Sequence, residues 1–97
     1  MKKEYRTIEL IVNNHPGVMS HITGLFSRRG YNLEGILCGA IGEGNTSVMY
    51  LLVEVNAVYP QVLSQLGKLY DVLELRERSD LDVTAFFRVE CLFEKMP

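Results

Sequence analysis

An α+β fold is what the 97 residues predict: a four-stranded antiparallel sheet carrying two helices on one face, in the order βαββαβ. Three observations lead there. Two stretches space their apolar residues by three and four, as helices do, and extended stretches with apolar alternation or continuous apolar runs flank each of them. The chain is also of a length that builds one core, and right-handed crossovers bring the four strands into a single sheet.

The first element, "YRTIELIVNN", alternates Ile8, Leu10 and Val12 with Thr7, Glu9 and Ile11, so a strand with one buried face runs from Tyr5 to Asn13. Val18, Ile22, Leu25, Phe26 and Arg29 then mark one face of a helix. That helix stops at Gly30, which can take a left-handed conformation, and Arg28 and Arg29 suit the negative end of its dipole. "YNLEGILCGAI" resumes strand chemistry, with Gly35 and Gly39 suggesting a bend or a close backbone approach.

"GEGNTS" reads as the turn of a hairpin, and the nearly continuous apolar run of "SVMYLLVEV" suits a central strand. Val58, Val62, Leu66 and Leu69 predict a second helix over 57–70, with Pro60 tolerable only in its first turn. "DVLELRER" closes the sheet as strand 4. Beyond the polar break at 78–80, residues 83–93 alternate again, and the tail is a possible fifth strand.

Composition removes several functions. A net charge of −2 and a pI near 5.6 leave no basic footprint for a polyanion, so no nucleic-acid partner is expected. Cys38 and Cys91 are far apart with no metal-finger spacing, which predicts two buried free thiols and no metal. Lys2 and Lys3 precede polar residues, so no signal peptide or membrane span begins here and the cytoplasm is the default location. No base or nucleophile pairs with Glu34, Glu43 or Glu54 at a defensible spacing, so no catalytic residues are assigned.

The informative stretch is "NNHPGVMSH", residues 13–21, where a strand becomes a helix. The first turn of a helix leaves backbone N–H groups without intrahelical acceptors, and its dipole adds about half a positive charge there. A small carboxylate can dock on such a terminus without a basic side chain. Gly17 removes the Cβ that would block its approach, Pro16 stiffens the entry, and Asn14 or His15 can cap or line the rim. Pro, Gly and Asn are also ordinary turn and capping residues, so the junction admits a purely structural reading. His21 falls on the more polar side of the helix.

"NNHPGVMSHITGLFSRRGYNLEGI" and "LGKLYDVLEL" together resemble the regulatory (small) subunit of acetohydroxyacid synthase, also called acetolactate synthase, over roughly residues 6–78. The N-terminal part of that family is a ferredoxin-like ACT domain. The resemblance implies a non-catalytic subunit, with an ACT domain over 1–78 and a tail over 79–97. Its partner would be a large catalytic subunit holding thiamine diphosphate, FAD and magnesium, with no cofactor in this chain. It further implies activation of that subunit, feedback inhibition by valine in branched-chain amino-acid synthesis, and a homodimer through ACT domains.

Carried over by position, Asn14, Gly17, Val18 and Met19 fall in the effector loop and first helical turn, and Asn32 at the start of strand 2. The resemblance places the ligand between subunits: amides around residues 17–19 of one chain hold the carboxylate, and the Asn32 amide oxygen of the other accepts from the ammonium. Val18, Met19, Leu33 and Ile36 are candidates for the apolar pocket, with core packing the competing role for Leu33. Longer family members continue into a second domain, so the chain resembles a short form, and its apolar tail is expected to pack across a subunit or on the catalytic partner. A free-standing amino-acid sensor with no enzyme partner is the alternative reading.

Overall fold

The computed structural model describes residues 4–41 and 44–79. Its elements are β1 (Tyr5–Asn13), α1 (Val18–Arg29), β2 (Gly35–Ile41), β3 (Thr46–Glu54), α2 (Tyr59–Gly67) and β4 (Val72–Arg78). The strands form one sheet in the order β2-β3-β1-β4, and every neighbouring pair is antiparallel. The expected βαββαβ fold is therefore present, with β3 and β1 central.

Period-2 alternation decides which face meets the helices. Ile8, Leu10 and Val12 of β1 stand opposite Leu51, Met49 and Ser47 of β3, and all six are buried. They share a core with Val18, Ile22, Leu25 and Phe26 of α1 and Tyr59, Val62 and Leu66 of α2. Both helices thus cover one face. On the opposite face Thr7 and Leu52, paired in register, are also buried, and the Thr7 hydroxyl has no hydrogen-bond partner among the described residues.

Three boundaries differ from the sequence reading. β2 begins at Gly35, after Tyr31, the first residue of the expected stretch, has been used in ending α1. Gly30 adopts φ 70°, and the Tyr31 N–H reaches back to the Phe26 carbonyl at 2.8 Å. That six-to-one bond is the Schellman stop, accompanied by an edge-to-face contact of the Phe26 and Tyr31 rings. α2 is shorter than 57–70 at both ends. Asn56 Oδ1 accepts from the Val58 N–H in an Asx turn that leaves Val58 exposed and starts the helix at Tyr59, so Tyr59 takes the buried position. After Gly67, Lys68 and Leu69 bond three residues back, the tightened geometry that ends a helix.

Cys38 is exposed on edge strand β2, contrary to the expected buried thiol, because an edge strand is covered on fewer sides than a central one. The predicted hairpin of β2 and β3 forms, with Gly44 at φ 93° in its turn. β4 carries a bulge: Ile11 faces Glu74 while Val12 faces Val72, which leaves Leu73 unpaired and exposed. Among the described residues no helix is long and apolar enough to cross a membrane. The expectations for the tail beyond residue 79, for Cys91 and for Glu43 lie outside the described residues.

Candidate functional site

β1 delivers the chain to the start of α1 through residues 14–17, and Gly17 makes the turn at φ 95°, ψ −11°. The left-handed region is open to glycine at no steric cost. It leaves the helix without a side-chain cap and with no acidic residue in its first turn. The Met19 and Ser20 amides have no backbone acceptor among the described residues, whereas His21 N–H already bonds the Gly17 carbonyl at 2.9 Å. The result is an uncapped positive helix end, rimmed by the exposed residues Asn14, His15, Pro16, Gly17 and Met19.

Neither Asn14 nor His15 caps the helix. Asn14 Nδ2 donates to the Gly44 carbonyl at 2.6 Å, and its own N–H bonds Asn45, so this residue pins the loop to the β2–β3 hairpin. His15 turns the other way: its Nδ1 donates to the Pro16 carbonyl at 2.6 Å, and its Nε2 lies 2.7 Å from Asp71 Oδ1. Both ring nitrogens of His15 face oxygen acceptors, which favours the doubly protonated ring. The Pro16 carbonyl first, and the Asp71 carboxylate second, raise the His15 pKa above its ordinary value.

Asp71 sits just ahead of β4 with its side chain only 8% exposed. Its second oxygen lies 3.0 Å from His21 Nδ1, and its backbone carbonyl accepts from the Asn13 N–H at 2.9 Å. Hydrogen bonds from His15 and then His21 hold its carboxyl pKa below the ordinary value. Asp71 therefore ties the last residue of β1, the loop and the first turn of α1 to β4. Sequence reasoning missed this residue and the partner of His21. The only available signal was an aspartate placed where a helix hands over to a strand.

The remaining predicted residues lie elsewhere. Val18 is buried in the core, so its side chain is committed to packing. Asn32 is exposed in the segment between α1 and β2, ahead of the strand, while Leu33 and Ile36 are half-buried against the core. The twelve residues of α1 separate Gly17 from Asn32 by about 18 Å at the usual helical rise. One chain thus gathers residues 14–19 at one end of α1 and residues 32–36 at the other, and does not bring the two groups together. Asn32 lines a cleft of about 90 Å³ with Gly30, Tyr31 and Glu54, well short of the roughly 300 Å³ of a complete small-molecule pocket.

Comparison with known proteins agrees with the fold. Residues 8–74 match the family described as AHAS small subunit-like ACT domain. The chain is 44% identical over 87 residues to the acetolactate synthase isozyme 1 small subunit of Escherichia coli K12, covering 90% of each. It is 37% identical over 78 residues to a probable acetolactate synthase small subunit of Archaeoglobus fulgidus, covering 79% of this chain and 49% of that one. The crystal structure of the acetolactate synthase small subunit from Thermotoga maritima superposes with a TM-score of 0.68 at 28% identity, covering 76% of this chain and 47% of that one. On the sequence match across most of its length, the chain belongs to the acetohydroxyacid synthase small-subunit-like ACT domain family.

Proposed function

We propose that the chain is the regulatory subunit of an acetolactate synthase, activating the large catalytic subunit and making it sensitive to valine. The observation that carries this reading is the uncapped start of α1, where Gly17, the free Met19 and Ser20 amides and the absence of a first-turn acid leave a place for a carboxylate. That relatives are named as acetolactate synthase small subunits supports a large subunit as the partner.

The effector sits between two copies of the chain. Residues 14–19 and Asn32 lie at opposite ends of α1, so a two-fold axis is the simple way to place one chain's Gly17 beside the other's Asn32. β2 is the edge that supports such pairing. Its sequence GILCGAI has no charge and no proline, whereas the other edge, VLELRER, is charged and so resists pairing. The Met19 and Ser20 amides then hold the carboxylate, the side-chain amide oxygen of Asn32 in the second chain accepts from the ammonium, and Met19 with Ile36 offers apolar surface to the side chain.

Inhibition requires that valine bind the two states of the complex with different affinity. Allosteric couplings of about 1–3 kcal/mol correspond to 5–150-fold, and linkage makes the effect reciprocal. Titration calorimetry of valine into the free subunit and into its complex with the large subunit tests this. The proposal expects affinities that differ by at least about fivefold; equal affinities would remove equilibrium coupling. Failure to capture a large subunit at all would favour the free-standing sensor.

A further inference from the structure

The geometry points to a divalent transition-metal site formed by His15, His21 and Asp71. Their ligand atoms lie within 4.8 Å of one another and come from three parts of the chain: the loop, the first turn of α1 and the approach to β4. Side-chain hydrogen bonding explains why the three meet, and the same arrangement gathers two imidazole nitrogens and a carboxylate oxygen within 4.8 Å of one another. That donor set suits zinc, cobalt or nickel and discriminates against magnesium and calcium, which take oxygen ligands.

The supporting contacts are those a metal site needs. Asp71 is nearly buried and pinned to Asn13 through its backbone carbonyl, so the backbone that carries its carboxylate is held in place. His15 gives its Nδ1 proton to the Pro16 carbonyl, which orients the ring and leaves Nε2 as the ligand atom once its proton is displaced. The two imidazoles are 39% and 62% exposed, so an ion has an entry path and keeps open positions for water or another ligand, as three-ligand zinc sites do.

The fit can be measured. Bonds of about 2.0–2.1 Å in a tetrahedral site put neighbouring ligand atoms about 3.3 Å apart. The His15–Asp71 and His21–Asp71 spacings of 2.7 and 3.0 Å must open by a few tenths of an ångström. The widest separation, at most 4.8 Å, must close by about 1.5 Å, within reach of rotating two exposed rings. The positive end of α1 opposes a cation here, so binding is weaker than at a closed four-ligand site.

Calorimetric titration of Zn²⁺ and Ni²⁺ into the chelator-treated full chain, without any amino acid, tests the proposal. A Co²⁺ titration followed by visible absorption reports the coordination directly. The expected result is one ion per chain, no competition from excess Mg²⁺, and a loss of about tenfold or more in affinity in each of His15→Gln, His21→Gln and Asp71→Asn. Both histidines are exposed, so their variants fold even where Asp71→Asn does not, and far-ultraviolet circular dichroism checks this. No binding at millimolar metal, effective competition by Mg²⁺, or unchanged affinity in either histidine variant would overturn the site. Because no effector is present, that outcome leaves the valine reading standing.

Discussion

Replacing Gly17 with alanine tests the backbone account of the effector loop. A Cβ built at Gly17 meets nothing within 4 Å, so the substitution causes no clash and its cost comes from φ +95° alone. Holding an L-residue in left-handed backbone costs roughly 1–2 kcal/mol. For a domain of this size each 1 kcal/mol moves the melting temperature by about 4–8 °C, so a fall of about 4–16 °C is expected. Gly67 is the matched control. It too has open space around its Cβ position, but it ends α2 at ordinary negative φ, where alanine stabilises by up to about 1 kcal/mol. The same added methyl group should thus lower stability at 17 and raise it at 67. Urea denaturation of both variants reads this as opposite shifts of the midpoint at constant slope. Shifts of the same sign, or no shift at 17, would refute the reasoning.

Thr7→Val removes a buried hydroxyl that has no partner among the described residues, and a gain of about 1 kcal/mol in denaturant stability is expected. Tyr59→Phe deletes the 2.7 Å bond from the phenol to Glu77 but keeps the buried ring, so chemical denaturation should show a loss of about 1 kcal/mol, reduced from the charged-bond value by the exposure of Glu77. The double variant Cys38→Lys with Ala40→Lys adds charge to edge strand β2 at two exposed positions. If the parent pairs through β2 as proposed, light scattering should find the parent dimeric and the double variant monomeric at the same concentration. A double variant that stays dimeric would move the interface elsewhere.

The sheet was legible because its signals are local. Alternation in β1 and the continuous run in β3 placed both strands, and Gly30 marked the end of α1. The shortfalls have local causes of a different kind. Alternation cannot show that Tyr31 is spent closing a Schellman turn, nor that the Asn56 side chain starts α2 one residue later than Val58 suggests. At the site, Pro-Gly after a strand exposed the helix start in the sequence. The tether beneath it was hidden: Asp71 lies 50 positions from His21, and no spacing rule connects them. For the same reason the role of Asn14 changed from capping to anchoring, since its acceptor Gly44 belongs to a hairpin 30 residues away.

The central claim is that each effector site takes Gly17 from one chain and Asn32 from the other. Gly17→Asp sets a negative charge where the carboxylate should dock, and Asn32→Ala removes the acceptor for the ammonium, so each variant alone should bind no valine. In a dimer of one Gly17→Asp chain with one Asn32→Ala chain, one seam carries both substitutions and the other carries neither. Calorimetry on that purified mixed dimer should recover one valine site at the parent affinity. A mixed dimer that binds no valine, or a parent protein whose valine affinity survives either substitution, would contradict the account.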